Sequence, residues 1–232
     1  MYDPKKNNLL EVFIVCFGLG ISWTCCCCGI YFTNGKYSPL FGYFIALHLH
    51  FISEFTNTYL YQPNTVSSRS FLIYGNRGGK EFWIMQGLAI WEFLLVRFVN
   101  KYIAYPLNIF KIPGVILMIS GLLLRHSAMK TCGLSFSHYL ATKKEPYHKL
   151  VTTGVYKYIR HPSYLGFWLF CVGIQLWLSN YINLIFNLYI LHRFFSIRIN
   201  HEEQLLVNFY GDEYRKYQQH TYILIPWVVT TK

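Results

Sequence analysis

The chain has 232 residues, of which 53% are hydrophobic, 19% are aromatic and only 13% are charged, and its formal net charge is +11. An ordinary soluble domain carries about a quarter charged residues. The composition therefore excludes such a domain and indicates a polytopic membrane protein. The basic residues are scattered between apolar runs, without a basic arm or a base-reading motif, so we expect no nucleic-acid partner.

Six apolar runs approach the roughly 20 residues that a membrane-spanning helix needs. In chain order they cover residues 9–32, 40–61, 82–99, 106–124, 162–178 and 181–197. The fourth run is the weakest, because Lys111 and Pro113 interrupt its start. We predict an all-α, polytopic integral membrane bundle of about six transmembrane helices, folded as a single domain over residues 1–232.

The first run contains four consecutive cysteines, Cys25 to Cys28, of seven in the chain. Consecutive residues point around all sides of a helix, and the run matches no zinc-ligand spacing. We therefore expect no metal site. We interpret the cysteines as small apolar residues within the bilayer, with palmitoylation as the alternative.

An even number of spans places both termini on one side of the membrane. The N-terminus, the 63–81 loop, the 125–161 segment and the chain from Arg193 onward hold 17 of the 21 lysines and arginines. The positive-inside rule predicts that these parts are cytosolic. The opposite side holds Lys36, Lys101 and Lys111, with Arg97 at the end of a span. The expected segments are N-terminal spans over 1–124, a cytosolic segment over 125–161, a helical hairpin over 162–197 and a cytosolic C-terminal segment over 198–232.

The last two runs are joined only by Ser179 and Asn180, which predicts a tight helical hairpin. His161 and Arg198 lie at equal sequence distance from this turn on its two arms. If both arms are helical, these two residues reach the cytosolic interface together.

The motif RHPSY, residues 160–164, begins the first arm of the hairpin. Pro162 suits the first helical turn, since the amide that it lacks would be unpaired there. We predict that the amides of Ser163 and Tyr164 form an anion site, assisted by the helix dipole and by Arg160 and His161. The alternative is a plain interfacial anchor with a helix-start proline.

The second arm carries charges where it leaves the bilayer. It reads RFFSIRINHEEQLLVNFYG from residue 193, with no helix breaker before Gly211. Arg198 and Glu202 are four residues apart and share a helix face. An exposed pair would contribute only about 0.3–0.5 kcal/mol, but charges at this depth are costly unless they are used. Earlier spans contain Glu54, Glu92, His48 and His50, which we expect to be hydrogen-bonded in the bundle interior.

Several segments together resemble the isoprenylcysteine carboxyl methyltransferases. They read SEF at 53–55, LRHSAMKTCGLSFSH at 124–138, HKLVTTGVY at 148–156, RHPSYLGF at 160–167, RFFSIRINHEEQLL at 193–206, FYGDEYRKY at 209–217 and IPW at 225–227. The resemblance implies methyl transfer from S-adenosylmethionine to the C-terminal carboxylate of a prenylated cysteine in processed CaaX proteins, leaving a methyl ester and S-adenosylhomocysteine. It also implies a multi-pass protein of the endoplasmic reticulum membrane, with its cofactor in a cytosolic layer.

The same resemblance assigns site residues by motif. The implied cofactor contacts are His148, Lys149, Leu150, Val151, Tyr156, His161, Pro162, Ser163 and Tyr164. Arg198 and Glu202 match the pair at the substrate and the reaction centre. One departure is Ala141, which stands where the family has a glutamine that contacts the cofactor, so we expect no side-chain contact there.

The chemistry is compatible with these residue types. A terminal carboxylate has a pKa near about 3.5 and is ionised at neutral pH, so the reaction needs no general base. It needs positioning of the two reactants and removal of water. The alternatives are a phospholipid methyltransferase or an NADPH-dependent sterol reductase of similar architecture, against which the EEQLL and FYGDEYRKY segments argue. A non-catalytic scaffold or transporter would leave the polar hairpin ends unexplained.

Overall fold

The computed structural model describes residues 8–74, 79–99, 110–141 and 143–228. Within these ranges the chain forms seven α-helices and no strand, apart from one isolated bridge between Ile159 and Tyr222. The helices are α1 (Leu9–Phe32), α2 (Ser38–Tyr61), α3 (Gly79–Val99), α4 (Lys111–Cys132), α5 (Pro162–Leu178), α6 (Tyr181–Tyr210) and α7 (Asp212–Gln219). The prediction of an all-α fold is confirmed.

The described helices differ in how well they suit a membrane. By length and composition alone, the stretches Leu9–Phe32, Lys80–Val99 and Lys111–Ser135 could each cross a bilayer, and α5 is apolar but shorter. Helices α2 and α6 have 24 and 30 residues but carry more polar side chains. Several apolar helices therefore support a membrane-embedded bundle. Residues 75–78, 101 and 106–109, which belong to predicted loops and to the predicted fourth span, lie outside the described residues.

Helix α4 departs from the fourth predicted span. It begins at Lys111 and continues to Cys132, so residues 125–132 of the predicted cytosolic segment are helical. Pro113 does not interrupt the helix, because it lies in the first turn, where no amide partner is needed. Arg125 does not end it either, because this side chain is only 7% exposed and pairs with Glu54 inside the bundle.

Helices α4 and α5 pack with their backbones in direct contact. A Cβ atom added to Gly121 would lie 2.5 Å from the carbonyl oxygen of Gly166, and one added to Gly114 would lie 2.8 Å from that of Gly173. The two glycines on each helix are seven residues apart, which places them on one face. Small residues permit this close approach between membrane helices. The contact holds the end of α4 beside the start of α5.

The turn between α5 and α6 is the tight hairpin that the sequence predicts. Ser179 adopts a left-handed conformation with φ 61°, and Asn180 is the N-cap of α6. Glu92 of α3 accepts hydrogen bonds from the amides of Ile182 (2.9 Å) and Asn183 (2.6 Å). This carboxylate satisfies free amides at a helix start, so the expected interior hydrogen bonding of Glu92 is confirmed.

The chain after α6 folds back towards the RHPSY motif. Gly211, with φ 55°, lets α6 end and α7 begin. Beyond α7, the Arg160 amide donates to the Tyr222 carbonyl at 2.9 Å, and the Tyr222 amide donates to the Tyr158 carbonyl at 3.0 Å. Ile223 and Ile225 are buried beside this contact. The fold-back brings α7 next to the start of α5.

Candidate active site

An open cavity lies between the end of α4, the 133–161 segment, the start of α5, the end of α6 and helix α7. Every predicted cofactor contact lines it, as do Glu202 and Ala141. Its other lining residues are Cys132, Ser135, Phe136, Ser137, Tyr139, Arg160, Leu205, Leu206, Phe209, Tyr210, Tyr214 and Tyr217. Arg198 does not line the cavity, but it donates a hydrogen bond to Tyr164, which does.

The start of α5 forms one wall of this cavity. His161 is the N-cap and Pro162 the first helical residue. Of the two amides predicted for an anion, that of Tyr164 is bonded to the His161 carbonyl at 3.1 Å. The prediction is therefore wrong for Tyr164, because the first turn closes on its own N-cap, and the amide of Ser163 remains the candidate. The Ser163 hydroxyl faces the bundle and accepts a hydrogen bond from Arg125 at 2.7 Å.

Arg160, which the sequence predicts to assist the anion site, has hydrogen-bond partners in the C-terminal part of the chain. Its Nη1 donates to the carbonyl oxygens of Gln218 (3.0 Å) and Thr221 (2.5 Å), and its Nε donates to Glu203 at 3.1 Å. The guanidinium is thus used by the C-terminal segment that folds over it. The position of Arg160 next to His161 could not predict these hydrogen bonds, because the two carbonyl acceptors lie about 60 residues further along the chain.

Glu203 is the centre of the polar cluster beside the cavity. It accepts hydrogen bonds from His161 Nε2 (2.7 Å), the Tyr214 hydroxyl (2.9 Å), Gln218 Nε2 (2.5 Å) and Arg160. Burial raises the pKa of this carboxyl, but the hydrogen bonds and positive charges outweigh burial and lower the pKa to about 2. Glu203 is not among the site residues predicted from the sequence. The sequence signal for Glu203 is its position next to Glu202 on a helix, because only one of two adjacent side chains can face the cavity.

Arg198 and Glu202 are joined through the hydroxyl group of Tyr164. Arg198 Nε donates to this hydroxyl at 2.7 Å, and the hydroxyl donates to Glu202 Oε2 at 2.5 Å. Arg198 Nη2 donates to the carbonyl of His138 at 2.6 Å, and the ring of His161 stacks on that of Tyr164 at 5.4 Å. The two arms of the hairpin therefore meet at one level, as their equal lengths predict.

A buried ion pair lies beneath this cluster. Arg125 of α4 forms a two-point contact with Glu54 of α2, of which the Nη2–Oε2 bond is 2.8 Å long. Nη1 of the same guanidinium donates to the hydroxyl and the carbonyl of Ser163. The pair thus ties α2 and α4 to the first turn of α5. The expected interior hydrogen bonding of Glu54 is confirmed.

The two histidines of α2 behave differently. His48 Nδ1 lies 2.5 Å from the carbonyl of Phe44, so the expected hydrogen bond is present. His50 is buried and stacks on Phe170 at 4.8 Å, but its Nδ1 has no hydrogen-bond partner in the described residues. The expectation is therefore wrong for that nitrogen, since the Glu54 Oε1 atom lies 3.9 Å from it, beyond hydrogen-bond distance.

The 133–157 segment closes the other side of the cavity. The Lys149 amide donates to the Ser135 hydroxyl at 3.1 Å, and the Tyr217 hydroxyl donates to the Tyr156 carbonyl at 2.6 Å. Lys144 donates to the carbonyl of Phe209 at 3.0 Å, at the end of α6. Burial raises the pKa of the Tyr156 hydroxyl well above its usual value, so this phenol is neutral.

Comparisons with known proteins point to one family. Residues 114–208 match the model of the isoprenylcysteine carboxyl methyltransferase (ICMT) family. A protein-S-isoprenylcysteine O-methyltransferase of Saccharomyces cerevisiae is 37% identical, over 97% of this chain and 95% of its own length. The Homo sapiens protein of the same name is 30% identical, over 100% of this chain and 79% of its own length.

A solved structure has a similar fold. It is that of a eukaryotic intramembrane Ras methyltransferase, isoprenylcysteine carboxyl methyltransferase, and it superposes with a TM-score of 0.82 at 30% identity. The match covers 92% of this chain and 75% of that one. Together with the relatives that match over nearly the whole chain, it shows that this chain belongs to the isoprenylcysteine carboxyl methyltransferase family.

Proposed function

We propose that the chain methylates the C-terminal carboxylate of prenylated cysteine in processed CaaX proteins, and that the cavity beside Arg198 binds the methyl donor, S-adenosylmethionine. One observation carries the assignment of the site. All the residues that the motifs assign to the donor line a single cavity, and the predicted reaction-centre residues, Arg198 and Glu202, are bonded to a wall of that cavity through Tyr164.

The residues that line the cavity fit this donor. Glu202, whose side chain is 29% exposed, offers a carboxylate to a positively charged group. The Ser163 amide and Lys149 can bind the carboxylate of the donor's amino-acid part, and Tyr156 offers an aromatic ring to adenine. When bound, S-adenosylmethionine supplies a methyl group on a sulfonium centre. Ala141 offers only a methyl group, so it adds no polar contact.

Arg198 is placed to hold the substrate carboxylate. The bonds to Tyr164 and His138 use two of its five N–H donors, which leaves donors in a planar fork for a carboxylate. Because the substrate carboxylate is already ionised at neutral pH, the chain needs to orient it and exclude water, not to remove a proton. Tyr164 then fixes the distance between the Arg198 guanidinium and the Glu202 carboxylate.

The proposal extends to topology and location. We place six spans in the endoplasmic reticulum membrane, with both termini and the cavity facing the cytosol, in one domain that needs no metal ion. The distribution of lysine and arginine supports this orientation. It lets a water-borne donor enter from the cytosol while a prenyl chain remains in the bilayer. We assign residues 1–124 to the N-terminal spans, 125–161 to a cytosolic segment, 162–197 to the hairpin and 198–232 to the cytosolic C-terminal segment. Helix α4 continues from the first of these segments into the second and ends at Cys132.

One assay tests the proposed activity. Membranes that contain the chain are incubated with S-adenosylmethionine labelled in its methyl group and with N-acetyl-S-farnesylcysteine, and base-labile methyl ester is counted. We expect ester with this substrate and none with N-acetylcysteine, which lacks the prenyl group. Methylation of phosphatidylethanolamine instead would support the phospholipid methyltransferase alternative and contradict the proposal.

A further inference from the structure

Three cations lie together at the end of the bundle opposite the methyl-transfer cavity. Lys36 is in the turn between α1 and α2, Arg97 in the last turn of α3, and Lys111 at the start of α4. The Lys36 ammonium lies 5.5 Å from the ring centre of Tyr37, and the Arg97 guanidinium lies 5.2 Å from the same ring. One aromatic ring thus holds two of the three cations near each other.

Arg97 and Lys111 also line a second, open cavity. Its remaining lining residues are Pro39, Phe93, Val96, Leu178 and Ser179. The Arg97 guanidinium lies 5.8 Å from the ring centre of Phe93, so it is held against the cavity wall. The cavity therefore combines two cations with an apolar surface.

The sequence provides no free carboxylate for these cations. Among the acidic residues that the structure describes, Glu92 is the one at this end of the bundle. Both of its carboxylate oxygens accept hydrogen bonds from backbone amides at the start of α6. Residues 93–144 contain no aspartate or glutamate. No carboxylate of the described residues therefore pairs with these cations, which are available to an anionic ligand.

The chemistry of this end fits a phosphate group with an apolar tail. A guanidinium and an ammonium are the usual protein ligands of phosphate, and Lys111 lies at a helix start, where the dipole favours an anion. Phe93, Val96 and Leu178 offer apolar contacts beside the cations. We propose that Arg97, Lys111 and Lys36 form a binding site for the phosphate of a phospholipid in the leaflet opposite the methyl-transfer cavity.

The test uses the purified, delipidated full-length protein in neutral detergent. Dioctanoyl phosphatidic acid, inorganic phosphate and dioctanoylglycerol are titrated separately, and the midpoint of thermal unfolding is measured. A ligand that binds only the folded state raises this midpoint. We expect phosphatidic acid to raise it strongly, inorganic phosphate weakly, and dioctanoylglycerol not at all. An equal shift with inorganic phosphate would overturn the assignment to a lipid.

Matched variants locate the site. Arg97→Gln/Lys111→Gln is expected to weaken phosphatidic acid binding at least about tenfold, since neutral amides replace the two cations that contact the phosphate. Lys130→Gln/Lys216→Gln makes the same charge change at the other end and is expected to leave the shift intact. Methyl transfer, which occurs at the other end, reports whether each variant is folded. If the first variant is unstable, Lys36→Gln/Lys111→Gln replaces it in the test, because Arg97 then keeps its contacts with the rings of Tyr37 and Phe93. Two results would overturn the proposal. One is undiminished phosphatidic acid binding in a folded variant of the Arg97, Lys111 and Lys36 set. The other is an equal loss of binding in Lys130→Gln/Lys216→Gln.

Discussion

Two adjacent carboxylates of α6 have different environments, and each environment suits a different role. Glu203 is 4% exposed and accepts four hydrogen bonds, so it is a fixed part of the scaffold. Glu202 has a single described donor, the Tyr164 hydroxyl, and it faces the cavity. Only Glu202 is therefore placed to respond to a ligand.

Replacing Arg198 tests the carboxylate-binding role directly. Arg198→Ala removes the guanidinium that we assign to the substrate, and we expect kcat/KM for N-acetyl-S-farnesylcysteine to fall by about 10²–10³, the cost of losing one charge-stabilising donor. Arg193→Ala, an exposed arginine of the same helix, is the control and should keep its activity. A folded Arg198→Ala enzyme with near-normal kcat/KM would contradict the role.

Removing one hydroxyl tests the bridge between Arg198 and Glu202. Tyr164→Phe keeps the ring that stacks on His161 but loses both hydrogen bonds. We expect kcat to fall roughly tenfold with nearly unchanged stability, since two charged groups lose their common partner. Tyr158→Phe, at an exposed tyrosine, is the matched control. Equal kinetics for the two variants would show that the bridge is not needed.

The stability that Glu203 provides should depend on pH. Its pKa in the folded protein is lowered to about 2 from an ordinary value of 4.5. The stabilisation is therefore fully present above about pH 4.5 and is lost as the pH falls towards 2. We expect Glu203→Gln to lower the unfolding midpoint at pH 7, and the gap from wild type to narrow below pH 4.5. Glu213→Gln, at an exposed residue, should show no such gap, and a gap for Glu203→Gln that stays constant with pH would contradict the assignment.

At the scale of elements, the contact between α4 and α5 sets the position of the site. The pairs Gly121 with Gly166 and Gly114 with Gly173 bring the two backbones together without side chains between them. The Arg125–Glu54 pair then fastens the same two helices to α2. The first turn of α5, which lines the cavity, is thereby held from two sides.

A single methyl group should disturb this contact. In Gly121→Ala the new Cβ would lie 2.5 Å from the Gly166 carbonyl oxygen, so one helix has to move. We expect a loss of about 1–3 kcal/mol, as for overpacking in a core, and a lower unfolding midpoint. Gly87→Ala is the matched control, since its Cβ would meet nothing within 4 Å and alanine favours a helix. A midpoint for Gly121→Ala at or above that of Gly87→Ala would contradict the packing.

Apolar run length predicts most helices but not where α4 ends. The hydrophobic run stops at 124 because Arg125 and His126 follow it, yet the helix continues to Cys132. The reason is a partner from another helix, Glu54, which makes a buried arginine tolerable. Ion pairing between two helices depends on tertiary structure, so the local hydrophobic pattern does not predict it.

At the scale of the whole molecule, the two ends of the bundle carry different chemistry. One end holds the cavity to which we assign methyl transfer, with its paired acids and bases. The other holds cations that have no acidic partner among the described residues. The common depth of His161 and Arg198 could be predicted from sequence, because spacing along a helix fixes depth in the bundle. The residues that line the cavity were predicted by the resemblance of their motifs to a known family. The hydrogen bonds of Arg160 could not be predicted from sequence, because the C-terminal segment that accepts them lies far along the chain.

The central claim is that the donor binds in the cavity between residues 132–164 and the end of α6. Ultraviolet cross-linking of methyl-labelled S-adenosylmethionine to the folded protein, followed by peptide mapping, tests it without relying on turnover. We expect the label on peptides that contain Tyr156 or Tyr164, and excess S-adenosylhomocysteine should remove it. Label that resists this competitor, or that maps to α1 to α3, would contradict the claim.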